Sequence, residues 1–164
     1  MRYFITFACY GAHLHGAAPG SVDRSHRLFG GNLVDADPRR ESSELRRMTQ
    51  PPFLLDQDAR SVVLEALREV CVCRGWGLLA AHVRTNHVHV IVDAKDPPER
   101  VMNDFKSYAS RALNRLGRDG SNRRRWAHHG STRWLWKDQD LQAAIHYVVQ
   151  EQGEPMTVFV AAPL

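Results

Sequence analysis

Long apolar runs, cysteine motifs and internal repeats are missing from this 164-residue chain, and each absence excludes a class of protein. No run approaches the roughly 20 apolar residues that cross a bilayer, which excludes a helical membrane protein. The opening Met1-Arg2-Tyr3-Phe4-Ile5-Thr6-Phe7-Ala8-Cys9-Tyr10 lacks a long apolar core and a cleavage site, so it reads as a first strand rather than a signal peptide. Cys9, Cys71 and Cys73 are odd in number and lack the Cys-x-x-Cys spacing of zinc and redox sites. Reduced structural cysteines in a cytoplasmic protein are the expectation. Acidic residues are scarce in one stretch: between 100 and 133 only Asp104 and Asp119 oppose nine Lys and Arg, a net +7 that leaves −3 for the remainder. Such a localised basic belt favours a polyanionic partner, nucleic acid above all.

What is present suits a single domain over 1–164, since 43% hydrophobic and 24% charged residues can build one core at this length. Residues 2–10 read as a strand. Residues 11–50, rich in Gly, Pro, Ser, Asp and Arg without sustained periodicity, read as an irregular insertion. Helical spacing of Val63, Leu67 and Val70 follows a cap at Asp56 or Asp58 and closes at Gly75. Two short strands, 77–84 and 86–93, meet at a turn at Thr85-Asn86. After Pro97-Pro98 a second amphipathic helix runs to Gly117 with a basic side. Ser121 to Gly130 reads as a basic loop, 132–137 as a strand, and Leu141 to about Gln152 as a third helix capped by Asp138 or Asp140. The order predicts an α+β fold, a ferredoxin-like β-α-β-β-α-β sandwich with an antiparallel sheet plus a C-terminal helix.

The segment His87-Val88-His89-Val90-Ile91-Val92 carries the chemistry. Side chains alternate along a strand, so the valines can be buried on one face while His87 and His89 meet a ligand on the other. Two imidazoles side by side are half of a divalent-metal site, with oxygen ligands needed from elsewhere. On the last helix, Leu141, Ala144, Ile145 and Val148 form the apolar stripe, with Tyr147 and Glu151 one turn apart on its flank. At about 100° per residue Glu151 lies on the same side as Tyr147, whereas Gln150 is nearly opposite the stripe. His87, His89 and Glu151 are therefore the candidate metal ligands, and Tyr147 the candidate nucleophile for in-line attack on a phosphate.

Asn86-His87-Val88-His89-Val90-Ile91-Val92, a following Lys-bearing helix and Ala143-Ala144-Ile145-His146-Tyr147-Val148-Val149 resemble the HUH single-tyrosine transposases, which include bacterial insertion-sequence and REP-associated tyrosine transposases. The resemblance implies a His-hydrophobic-His motif on a central strand of a ferredoxin-like sheet and a nucleophilic tyrosine on a late helix. It implies magnesium or manganese as cofactor, and a Gln or Asn four residues after the tyrosine as a further ligand, where this chain has Glu151. The implied reaction cleaves single-stranded DNA to a 5′-phosphotyrosine and a 3′-hydroxyl, then rejoins strands. Implied substrates are DNA hairpins, with Lys106, Arg111, Arg115, Arg123, Arg124 and Arg125 as backbone contacts. A monomer and a homodimer with exchanged tyrosine helices both fit the family.

Rival readings remain at this level. A non-catalytic nucleic-acid-binding module would keep the fold and the basic face, and a small metal hydrolase would cleave without an adduct. His13-Leu14-His15 sits between glycines and reads as a loop rather than a metal site, and His128-His129 as a solvated pair. Tyr108 is the rival nucleophile, but its i+4 neighbour Ala112 cannot ligate anything. Trp126, Trp134 and Trp136 read as sheet-packing residues before base-stacking ones.

Overall fold

The computed structural model describes residues 1–12, 39 and 46–162. They form β1 (Arg2–Cys9), α1 (Gln57–Arg74), β2 (Gly77–Val83), β3 (His87–Asp93), α2 (Pro98–Arg115), β4 (Trp126–Trp134), α3 (Asp138–Gln150) and β5 (Thr157–Val160). The strands make one sheet in the order β4-β1-β3-β2-β5, with every neighbouring pair antiparallel. β3 is thus central, as its uninterrupted β-branched run requires. The expected α+β sandwich is present, with a fifth strand added. No helix among the described residues is long and apolar enough to cross a membrane.

Period-two alternation gives the sheet two unequal cores. Val88, Val90 and Val92 join Ile5, Phe7, Leu67, Val70 and Phe105 in the larger, beneath α1 and α2. Phe4, Ala80 and Ile91 face the other way, onto Leu135 and α3 residues Ala144 and Val148. The third helix therefore lies on the histidine face of the sheet, opposite the other two.

Local chemistry fixes both ends of α1 and the start of α2. The Asp56 carboxylate accepts from the Ala59 N–H at 2.9 Å, which caps α1, and Gly75 ends it in the left-handed region at φ 67°. Pro98 opens α2, where its missing N–H is harmless. Neither Asp138 nor Asp140 caps α3, contrary to expectation. Lys137 occupies that position without a side-chain bond, and both aspartates lie in the first turn, where the helix dipole favours them.

β4 and β5 depart most from the sequence reading. β4 begins at Trp126, inside the expected basic loop, and ends at Trp134 rather than 137. It is an edge strand with polar residues on both faces, so its sequence carries little alternation. Gly130 permits the pairing: a Cβ there would meet the Thr6 carbonyl oxygen and the Met102 sulfur at 2.5 Å. β5 was not foreseen, because four residues after Pro155 give too short a pattern to read. Of the expected insertion over 11–50, residues 13–38 and 40–45, including His13-Leu14-His15, lie outside the described residues.

Candidate active site

β3 delivers His87 and His89 to the same face, with ring centroids 4.8 Å apart. Hydrogen bonds brace both imidazoles, that of His87 at Nδ1 and that of His89 at both ring nitrogens. The His87 Nδ1–H donates to Asn86 Oδ1 at 2.7 Å, which places the ring's lone pair on Nε2. His89 Nδ1 lies 2.8 Å from Thr6 Oγ1, its cross-strand neighbour on β1. His89 Nε2 lies 3.0 Å from Gln152 Oε1, and the Gln152 amide N–H donates to the Tyr147 carbonyl at 3.3 Å. An amide oxygen only accepts, so Nε2 carries the His89 proton and Nδ1 accepts from the Thr6 hydroxyl.

His89 is 6% exposed. Burial, and secondarily the neighbouring His87, push its imidazole down to about 3, so it is neutral at physiological pH. A neutral imidazole is the ligating form.

α3 brings Tyr147 over this pair. Its ring centroid lies 6.0 Å from that of His89 and 6.0 Å from that of Phe4, and the ring is half-buried. Glu151 does not join them. Its carboxylate is exposed and pairs with His146 Nε2 at 3.3 Å. The helix ends at Gln150 and Glu151 leaves it at φ −105°, ψ 12°, so the 100° step no longer applies and Gln152 turns back to the histidines. Among the described residues no three His, Cys, Asp or Glu side chains converge on one point. The donors that converge are two neutral imidazoles and an amide oxygen: His87 carries its lone pair on Nε2, and His89 would ligate through Nε2 as the other tautomer, with its Nδ1–H donating to Thr6 Oγ1 in place of the Nε2–H bond to Gln152. Such a nitrogen and oxygen set fits a divalent cation.

The expected DNA contacts divide sharply. Lys106 is buried, and its ammonium donates to the carbonyls of Ala127, His128 and His129 at 3.0, 3.5 and 3.3 Å. Burial pushes it down to about 8. It fastens the edge strand and has no reach to a phosphate. Arg125 is buried too, its guanidinium 5.8 Å from the Phe53 ring. Arg123 spends its donors on Gln50 Oε1, the Arg124 carbonyl and the Pro51 carbonyl. Arg111, Arg115 and Arg124 are exposed: Arg111 stacks on Tyr108 at 4.4 Å, Arg115 meets Glu69 at 3.9 Å, and Arg124 lies 6.0 Å from the Tyr10 ring. Arg111 and Arg115 project from α2, the layer opposite the histidines.

Other rivals are placed as well. Tyr108 packs against the larger core, on the sheet face away from His87 and His89. Trp126 packs on Phe7, as expected of a sheet residue. Trp134 also packs on the sheet, edge-on against its cross-strand neighbour Tyr3 at 4.8 Å, whereas Trp136 departs from that expectation, lying 70% exposed in a parallel stack on Trp134. His128 and His129 are exposed, as foreseen. Burial pushes the Cys9 and Cys71 thiols up to about 12, which leaves them inert.

The family model for IS200-like transposases matches residues 50–140, more than half of the chain, and the chain belongs to that family. The matched span contains His87 and His89 and stops before Tyr147. Among solved structures, the REP-associated tyrosine transposase bound to a REP hairpin aligns with a TM-score of 0.51 and 12% identity, over 92% of this chain and 65% of that one. The chain therefore spans somewhat under two thirds of that relative's length, and the likeness is one of fold. A Deinococcus radiodurans R1 protein assigned as a transposase aligns with a TM-score of 0.45 and 12% identity, over 87% and 85% of the two chains. No curated protein matches.

Proposed function

We propose that this chain cleaves and rejoins single-stranded DNA at hairpins, with Tyr147 as nucleophile and His87, His89 and Gln152 holding magnesium or manganese. One observation carries the reading: the end of α3 sets Tyr147 beside His89 while the next turn sets the Gln152 amide oxygen 3.0 Å from the same imidazole. Glu151, the ligand expected from helical spacing, is replaced in this role by Gln152. A bound cation would supply Lewis-acid polarisation of the scissile phosphate.

The chain's own residues do the rest. Phe4 and His89 flank the Tyr147 ring and restrict where its oxygen can travel. In the reaction that oxygen loses its proton and bonds to phosphorus, while the bond from phosphorus to the 3′ oxygen breaks. The leaving oxygen takes up a proton to become a 3′-hydroxyl, and attack by such a hydroxyl on the phosphotyrosine reverses the chemistry and rejoins strands. Thr6 and Asn86 hold the imidazoles in place throughout. The fold's likeness to a protein bound to a REP hairpin supports hairpin DNA as the substrate class.

The test is a denaturing gel of the protein with labelled single-stranded hairpins from the DNA flanking its own gene, with and without magnesium or manganese. A metal-dependent covalent band present in wild type and in Tyr108→Phe, and absent in Tyr147→Phe, is the expected outcome. Binding without any adduct would favour a DNA-binding module, and cleavage without an adduct a hydrolase.

A further inference from the structure

His82 lies opposite His89 in the β2–β3 register, is fully buried, and plays no part in the chemistry above. Its Nδ1–H donates to the Val148 carbonyl at 2.9 Å. Its Nε2 accepts from the Met156 backbone N–H at 3.1 Å, with the Arg84 guanidinium 3.4 Å away. One neutral ring therefore ties down the residue after Tyr147 and the residue that leads into β5. Everything between those two anchors is the turn that carries Gln152.

Other forces on this end of α3 are modest. Only Ala144 and Val148 of the helix are buried, no side chain caps its N-terminus, and no basic residue lies in its last turn. The last four carbonyls of a helix lack intrahelical partners, and here Val148 finds His82 while Tyr147 finds the Glu151 N–H and the Gln152 amide. Arg84 adds a second clasp by donating to the Glu154 carbonyl at 3.1 Å. A side chain at this place must offer one donor and one acceptor on opposite sides of a rigid frame, and neutral imidazole is the side chain with that form.

We propose that His82 is a positioning residue that closes the 148–156 turn and thereby holds Tyr147 and Gln152 in register with the His87–His89 pair. The inference rests on the function proposed above and adds a residue that touches neither DNA nor metal. Losing the clamp leaves the nucleophile present but misplaced, an error that costs rate rather than binding.

The experiment compares wild type with His82→Asn, which keeps a donor near Nδ1, His82→Gln, which keeps an acceptor near Nε2, and His82→Ala. Each is assayed for hairpin affinity, for the rate of adduct formation with saturating manganese, and for amide hydrogen exchange. The expected result is a fall in adduct rate of at least about tenfold for His82→Ala with hairpin affinity nearly unchanged. Partial recovery by Asn or Gln is expected, with protection lost at Met156 while β1 and β3 amides stay protected. Wild-type adduct rates in a folded His82→Ala would overturn the proposal. So would loss of protection throughout β1 and β3 in all three variants, which would make His82 an ordinary core residue. If Tyr147→Phe still forms the adduct, the proposed nucleophile fails instead, while the exchange pattern at Met156 still reports on the clamp.

Discussion

His89 and Lys106 are both buried bases, one on each side of the sheet, and both are held below their ordinary protonation range by burial. Their partners differ. Lys106 is bound by three successive backbone carbonyls, Ala127 to His129, in the irregular stretch of the edge strand between the paired Trp126 and Gly130. His89 is bound by two side chains from separate elements, Thr6 and Gln152, one of which sits on a turn. Backbone partners make a rivet. Side-chain partners from independent elements make a site, because they can exchange one contact for another when a ligand arrives. Charge and burial alone do not separate the two cases.

The largest effect that bears on this contrast is expected at Tyr147. Its replacement by Phe removes the nucleophile and is expected to reduce adduct formation by at least about 1,000-fold in a gel assay, with hairpin affinity retained.

Acid titration comes next. In the metal-free protein the folded His89 resists protonation down to about pH 3, whereas the unfolded residue takes a proton near 6.5. The unfolded state binds more protons between those values, so stability present above pH 6.5 is lost as pH falls toward 3, by up to about 4 kcal/mol. Urea melts over that range should tilt less in His89→Gln. Lys106 gives the same sign in a second window, with stability rising from about pH 8 toward the ordinary lysine range near 10.5.

Gln152→Ala is expected to weaken manganese binding at least about tenfold by calorimetry, and Glu151→Gln to change it little. Lys106→Met is expected to cost about 2 kcal/mol in denaturant melts by orphaning carbonyls of β4, without lowering the adduct rate of the folded protein. The smallest expected effect belongs to Arg124→Gln, which should reduce the salt dependence of hairpin binding by about one unit of slope, while Lys106→Met leaves it unchanged.

Much of this contrast was legible in the sequence, and the illegible parts share a cause. The His87–His89 face followed from strict alternation, and Tyr147 from the stripe of Leu141, Ala144, Ile145 and Val148. Gln152 escaped because helical spacing was carried past the end of the helix, which stops at Gln150. Lys106 looked like one more cation on an amphipathic helix, since no periodicity reveals that three carbonyls of a polar edge strand converge on it. β4 itself was half hidden for the same reason: its strand character depends on Gly130 lying against β1 rather than on any apolar pattern. Alternation makes Trp134 and Trp136 alike, and it is the end of β4 at Trp134 that separates them: Trp134 packs on Tyr3 while Trp136 lies outside the strand, exposed and stacked on Trp134.

The most direct measurement is peptide mapping of the protein–DNA adduct: nuclease trimming, proteolysis and tandem mass spectrometry to locate the residue that retains the 5′ phosphate. A phosphorylated tyrosine in the peptide containing Tyr147 is the expected result. Phosphate on Tyr108 or on any other residue, or its absence from every peptide of a reaction that has cleaved DNA, would contradict the assignment of Tyr147 as the nucleophile.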